Sequence, residues 1–428
     1  MSHNSASANS IVKNKTDQGT IVLLLLVNLL ALSFLSSPGT PDVTEFRRWI
    51  SEMSAYGLSA GFAHSDADYP PVAFLILAAA AQVGHAFGLT ELFSLKCSLL
   101  FFLLATTVVF YWYTRKVALT ALLQFAVILS SIALGYLDIY FAPFLLAALF
   151  ELRMGNQGRA VLLFTISCFT KWQPLIIAPF ICLYLLDVSH FERASFKRLG
   201  PRIWRLAAPA LAIMVPLGIA FGLPILESLR AAMTFDQMLS GNALNLNWLY
   251  TFFLHLLAPD RFGPLKDGQV DLIIIYGHNA LVTWPPKILF LAIYGFLCVR
   301  FFRREKTFER LLIYSLLGYL SYFLFNIGVH ENHLFLLICL GWVLVSVNSK
   351  YLLWAANFSL AANANLLLFY GVFGQPLPFR RVIAGVDITL LFACANLCLF
   401  AGLLWRTLLA GAPGACFREA NQIRTEAE

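Results

Sequence analysis

The sequence predicts an all-α polytopic membrane protein with about twelve transmembrane helices. Three observations predict it. Of 428 residues, 59% are hydrophobic and 12% charged, against about 25% charged in a soluble domain. The mean hydropathy is +0.74. The apolar residues fall in repeated blocks of the length needed to cross a bilayer, and the basic residues between blocks sort by side. An ordinary soluble enzyme, a disordered chain and a fibrous protein are all excluded.

Residues 1–18 are polar and without periodicity, which predicts a disordered cytoplasmic tail. The apolar block 20–37 has the length of a signal-peptide core, but the many later blocks make it a retained anchor. Further spans are expected at 93–113, 117–135, 139–152, 159–171, 174–188, 206–226, 284–302, 308–327, 333–348, 351–371 and 384–405. The transmembrane domain then covers 19–410, and a second cytoplasmic tail covers 411–428.

Two apolar stretches stay out of the count. Leaving 71–89 as a half-embedded helix keeps the basic loops on one face, with 20 of 30 Lys and Arg cytoplasmic and eight, including Arg47, Arg48, Arg261 and Arg380, on the other. The segment 246–257 reads as an interfacial amphipathic helix. The net charge of +7 is therefore a topology signal and not a nucleic-acid footprint. Seven of eight cysteines lie in apolar blocks, with Cys416 in the tail, so neither a disulfide framework nor a metal site is expected.

The long loops, 38–92 (with the half-embedded helix) and 227–283, lie on the non-cytoplasmic face. Acids, imidazoles and amides gather there, among them Asp66, Asp68, Asn242, Asn245 and His278. Loops held by a rigid scaffold carry function, which puts the active or binding face outside.

Five short motifs lie on that face. Asp42 follows Pro41 just beyond the first span; it is an N-cap or first-turn acid that complements the dipole of the next helix, or it serves as a general base. Asp68-Tyr69-Pro70-Pro71 opens the half-embedded helix, where proline at the first turn costs no hydrogen bond. Asp138 ends a span, either as a functional acid at membrane depth or as a solvated loop acid. Lys171-Trp172-Gln173-Pro174 breaks a 29-residue apolar run into two short spans. Its lysine either snorkels or holds an anionic headgroup beside Gln173. His330-Glu331-Asn332-His333 has one residue fewer between its histidines than the HExxH zinc motif and no evident third ligand. An imidazole that binds phosphate fits it better.

In this order the motifs resemble those of GT-C superfamily glycosyltransferases, integral-membrane enzymes that use polyprenyl-phosphate sugars. The chain is similar to the luminal glucosyltransferases of N-glycan assembly and to bacterial polyprenol-dependent mannosyltransferases. Asp42, Tyr69-Pro70-Pro71, Lys171-Gln173-Pro174 and His330-Glu331-Asn332-His333 match the pattern; Gly135-Tyr136-Leu137-Asp138 matches a GQxD-like element with Tyr in place of Gln. The resemblance covers about residues 20–350. It implies Asp42 as catalytic base in an inverting displacement, and Tyr69, Asp138, Lys171, Gln173, His330, Glu331 and His333 as donor- and substrate-binding residues. It further implies a polyprenyl-phosphate hexose donor (mannose or glucose), a glycolipid or glycan acceptor, and no required metal or other cofactor. A bacterial inner membrane with a periplasmic site, or an endoplasmic reticulum membrane with a luminal one, would house it. A polysaccharide polymerase or ligase, and a transporter or flippase, are the competing classes.

Overall fold

A computed structural model describes residues 4–187, 193–234, 238–275, 280–376 and 381–409. His278, Arg380, Cys416 and the expected tail at 411–428 lie outside the described residues. The chain is all-helical apart from two short β pairs. Among the described residues, six helices are long and apolar enough to cross a membrane, which makes this a multi-pass membrane protein.

Helix α1 (Asn4–Ser33) has its apolar part at Gln18–Ser33 and continues upstream into the polar residues read as a tail. Extending an existing helix costs far less than nucleating one. Then follow α2 (Asp42–Tyr56), α3 (Leu58–His64), α4 (Pro71–Ala86) and α5 (Glu91–Thr114). Helix α2 buries Val43, Phe46, Trp49, Ile50 and Met53, an i, i+3, i+4 stripe facing the protein. Helix α4 starts at the Pro pair, as its sequence predicts.

Helix α6 (Val117–Ile128) runs into a π-turn at Leu129–Ala133 and then breaks. After a 3₁₀ turn at Leu137–Tyr140 come α7 (Ala142–Arg153) and α8 (Gln157–Thr170). Lys171 is extended, a 3₁₀ turn covers Gln173–Ile177, and α9 (Ala178–Leu186) follows. The expected spans at 139–152, 159–171 and 174–188 are thus short helices separated by tight breaks.

Helix α10 (Arg193–Phe221) lies at the periphery, and α11 (Pro224–Thr234) follows it. The second long loop carries β1 (Ser240–Gly241), α12 (Leu246–Leu257) and α13 (Pro259–Phe262). Helices α14 (Ala280–Phe302), α15 (Phe308–Phe325), α16 (Phe335–Val347), α17 (Leu352–Tyr370) and α18 (Ile388–Leu409) complete the bundle. Between them, β2 (Val329–His330) pairs in parallel with β1, and β3 (Val382–Ile383) pairs antiparallel with β4 (Val386–Asp387). Helices α15 and α16 form the centre and are buried nearly all round.

Polar contacts collect at two opposite ends of the bundle. At one end Tyr113 and Asn156 hold Glu151, Lys116 reaches Ser346 O, and Asn348 reaches Glu309. At the other end lie the five motifs.

Candidate active site

Two breaks in the helical framework build the site. The π-turn after α6 frees backbone carbonyls, and the buried ammonium of Lys96 on α5 takes those of Ile132 and Ala133. Ser37 donates to Ala133 O, and Thr40 N to Leu134 O at 2.9 Å. These bonds fasten the entrance of α2, which carries Asp42, to the segment that carries Tyr136 and Asp138. Gly135 sits at φ +85°, and a Cβ there would lie 2.6 Å from Val43. Only glycine fits so close a turn.

Asp42 is the first residue of α2. Pro41 occupies the N-cap position and no side chain caps the helix, so Asp42 is not the N-cap but the first-turn acid, the other form of its structural reading. A first-turn acid still complements the helix dipole. Burial, then the nearby Glu331 carboxylate, raise the Asp42 pKa to about 6, against the attraction of His330 and Lys171. Asp68 adds to the rise.

Asp138 is fully buried, and its Oδ2 accepts from Lys171 Nζ at 2.7 Å and from Asn332 Nδ2 at 3.0 Å. That overturns the solvated-loop reading of Asp138 and the snorkelling reading of Lys171, whose side chain is 7% exposed. Helix α8 ends one residue before Lys171, which turns the lysine into the protein instead of along the helix toward water. The Lys171 ammonium also lies 4.9 Å from the Tyr69 ring centre. Tyr69 in turn packs on Trp49 and Phe46 of α2.

The late histidine motif folds as a 3₁₀ turn in which His330 and His333 form a reciprocal capping box. The i, i+3 spacing is that of a capping box, a structural role the sequence reading passed over. His333 Nδ1 accepts from His330 N and lies 3.2 Å from Tyr322 OH, so its neutral ring carries the proton on Nε2. Glu331 Oε1 accepts from Tyr136 OH at 2.6 Å, and Glu331 Oε2 lies 4.0 Å from His330 Nδ1. Desolvation lowers the His330 pKa, although more than a third of its side chain is exposed (37%). Asp42 and Asp68 pull the other way.

Seven of the eight residues singled out by sequence therefore meet at one end of the bundle. Gln173 is the exception: it is buried nearby, but neither amide atom has a hydrogen-bond partner among the described residues. Asp138 Oδ1 is likewise unpartnered. The sequence reading missed Tyr136 and Asn332 as contact residues, although both stand inside quoted motifs. It also missed Tyr322 and Tyr370, whose helices carry no local signal. No protein-family model matches this chain, and no curated protein matches it.

Proposed function

We propose that this protein is a GT-C-type glycosyltransferase that moves a hexose from a polyprenyl-phosphate donor to an acceptor hydroxyl with inversion. The observation that carries this reading is Asp42: a carboxylate uncapped by its helix, made more basic by burial and Glu331, and within electrostatic reach of Lys171 and His330. A group ionised at pH 7 with a pKa near 6 is well matched to general-base work.

Asp42 takes the proton from the acceptor hydroxyl as its oxygen attacks the anomeric carbon. The bond from that carbon to the phosphate oxygen breaks, and charge grows on the leaving polyprenyl phosphate. Lys171, already fixed by Asp138 and the Tyr69 ring, needs little reorganisation to meet that charge, and preorganised cations supply much of the catalysis in such sites. Its ammonium has donors beyond the one given to Asp138. His330 adds an imidazole at the open side, and the unpartnered Gln173 amide offers a hydrogen-bonding group for the headgroup.

The reading includes twelve passes, counting the short helices, with the site on the periplasmic face of a bacterial inner membrane or its luminal equivalent. The sorting of basic residues supports that side. The test is transfer by purified protein from a panel of polyprenyl-phosphate hexoses to lipid and glycan acceptors. An inverted product that Asp42→Asn no longer forms supports the proposal. No transfer from any donor, with solute movement in proteoliposomes, replaces it with transport.

A further inference from the structure

Beyond the quoted motifs, the second long loop reaches the site at Ser228, which donates to Tyr69 O and accepts from Trp172 Nε1, and again at Gly241 and Asn242. Strand β1 pairs with β2 so that Gly241 stands opposite His330. A Cβ on Gly241 would lie 2.7 Å from His330 Nδ1, so the loop presses directly on that imidazole. The next residue, Asn242, has φ +55° and bridges to His330 again. A left-handed asparagine is tolerated, but it needs surroundings that hold it.

Those surroundings are built from buried amides. Asn365 on α17 donates to Asn242 O at 2.7 Å and accepts from Leu244 N at 2.8 Å, clamping the loop on both sides of Ala243. Asn245 donates to Phe323 O while capping α12. The supports are buried, whereas Asn242 itself is only partly so. Its Nδ2 donates to Tyr370 OH at 3.2 Å. Tyr370 is also partly exposed, and the carboxylates that act on its phenol are Glu331 and Asp42. A rigid frame thus presents an amide and a phenol beside the proposed base.

We infer that Asn242 and Tyr370, together with Glu331, bind the acceptor as a neutral, hydroxyl-rich ring. This rests on the transferase reading and names the acceptor's chemistry within it. An amide oxygen and a carboxylate accept from hydroxyls, the amide nitrogen and the phenol donate to them, and the tyrosine ring covers an apolar sugar face. Asp42, Asp68 and Glu331 disfavour an acceptor that carries phosphate or carboxylate at its reacting end. Lys171, the cation of the site, is paired with Asp138, and its remaining donors are those the transferase reading gives to the donor phosphate.

The experiment measures binding of protein in nanodiscs to an array of neutral, uronic-acid and phosphate-bearing oligosaccharides, with no donor present. Neutral oligosaccharides are expected to bind in preference to acidic ones. Tyr370→Phe and Asn242→Gly should each weaken that binding about tenfold, the scale of one lost hydrogen bond. Glycine keeps the left-handed backbone open, so loss of the amide is separated from misfolding. Arg261→Gln, on the same loop, should bind as the wild type does. Equal binding of acidic oligosaccharides, wild-type binding by both site variants, or no binding of any oligosaccharide overturns the inference. Neutral binding that depends on Asn242 and Tyr370 without transfer from any donor sinks the transferase reading alone. Transfer in which these variants raise KM for the donor and leave KM for the acceptor unchanged sinks the acceptor site alone.

Discussion

At Asp42 two measurements follow from one displaced proton. The folded chain holds that proton more tightly than an ordinary carboxylate of pKa 3.8 does, so protonation favours the folded state. The resulting stabilisation is complete below 3.8 and is lost as pH rises through about 6. Asp42→Asn removes the desolvated charge, so at pH 7.5 its Tm should exceed that of the wild type by about 1–3 °C. The gap should close below pH 4, and a thermal scan across pH checks it. The transfer rate should follow the ionised form, rising through pH 6, and Asp42→Asn should lower kcat about 10²–10⁴-fold. A flat pH profile with wild-type kcat removes Asp42 as the base. Lys171 behaves differently because it is already paired. Lys171→Ala leaves Asp138 buried without its cation, and breaking one side of such a pair costs about 3–5 kcal/mol. Its folded yield should fall, and Asp138→Asn in the same chain should restore it without restoring transfer. Recovery of transfer as well would reduce the pair to a structural role. In sequence Asp42 read as a helix-start acid or a base and Lys171 as a snorkelling or headgroup-binding lysine; the pairing of Lys171 was not legible because its partner, Asp138, is 33 residues away.

At the scale of elements, the breaks matter more than the helices. Helix α6 does not end at a glycine or a proline; it loosens into a π-turn, and Lys96 of α5 takes the carbonyls this frees. A cation at a helix C-terminus is favoured by the dipole and by the unpaired carbonyls together. Lys96→Met keeps the length and removes the ammonium. It should leave Ile132 O without a partner, at about 1–3 kcal/mol, and lower Tm measurably in detergent. A variant as stable as the wild type would mean that water replaces the lysine at no cost. In sequence Lys96 is a cation at a span end and nothing more. The Pro pair before α4 and the break at Lys171 were legible because proline acts locally. The π-turn and the β1–β2 pairing were not, because both are decided by distant contacts.

For the whole molecule, the apolar blocks gave the fold class, and the sorting of charge gave its two ends. Block length was a poorer guide, since α7 is packed inside the bundle and need not be as long as a lipid-facing span, and tight breaks shorten α8 and α9. The arrangement of ends is open to a direct test. Helix α5 runs from Glu91, paired with Arg47 beside the site, to Tyr113, which meets Glu151 at the far end; α7, entered from the 3₁₀ turn that carries Asp138, runs to that same Glu151. Ala63 and Arg261 are exposed in the two long loops, while Arg153 and Arg303 are exposed at the far end. In a chain with its eight cysteines replaced, single cysteines at Ala63 and Arg261 should react with an impermeant maleimide in intact cells. Cysteines at Arg153 and Arg303 should react only after permeabilisation. A split within either pair would break the two-ended arrangement. The reverse pattern would keep the ends but turn the chain over, placing Asp42 and Lys171 on the cytoplasmic face against the charge bias that otherwise orients such proteins.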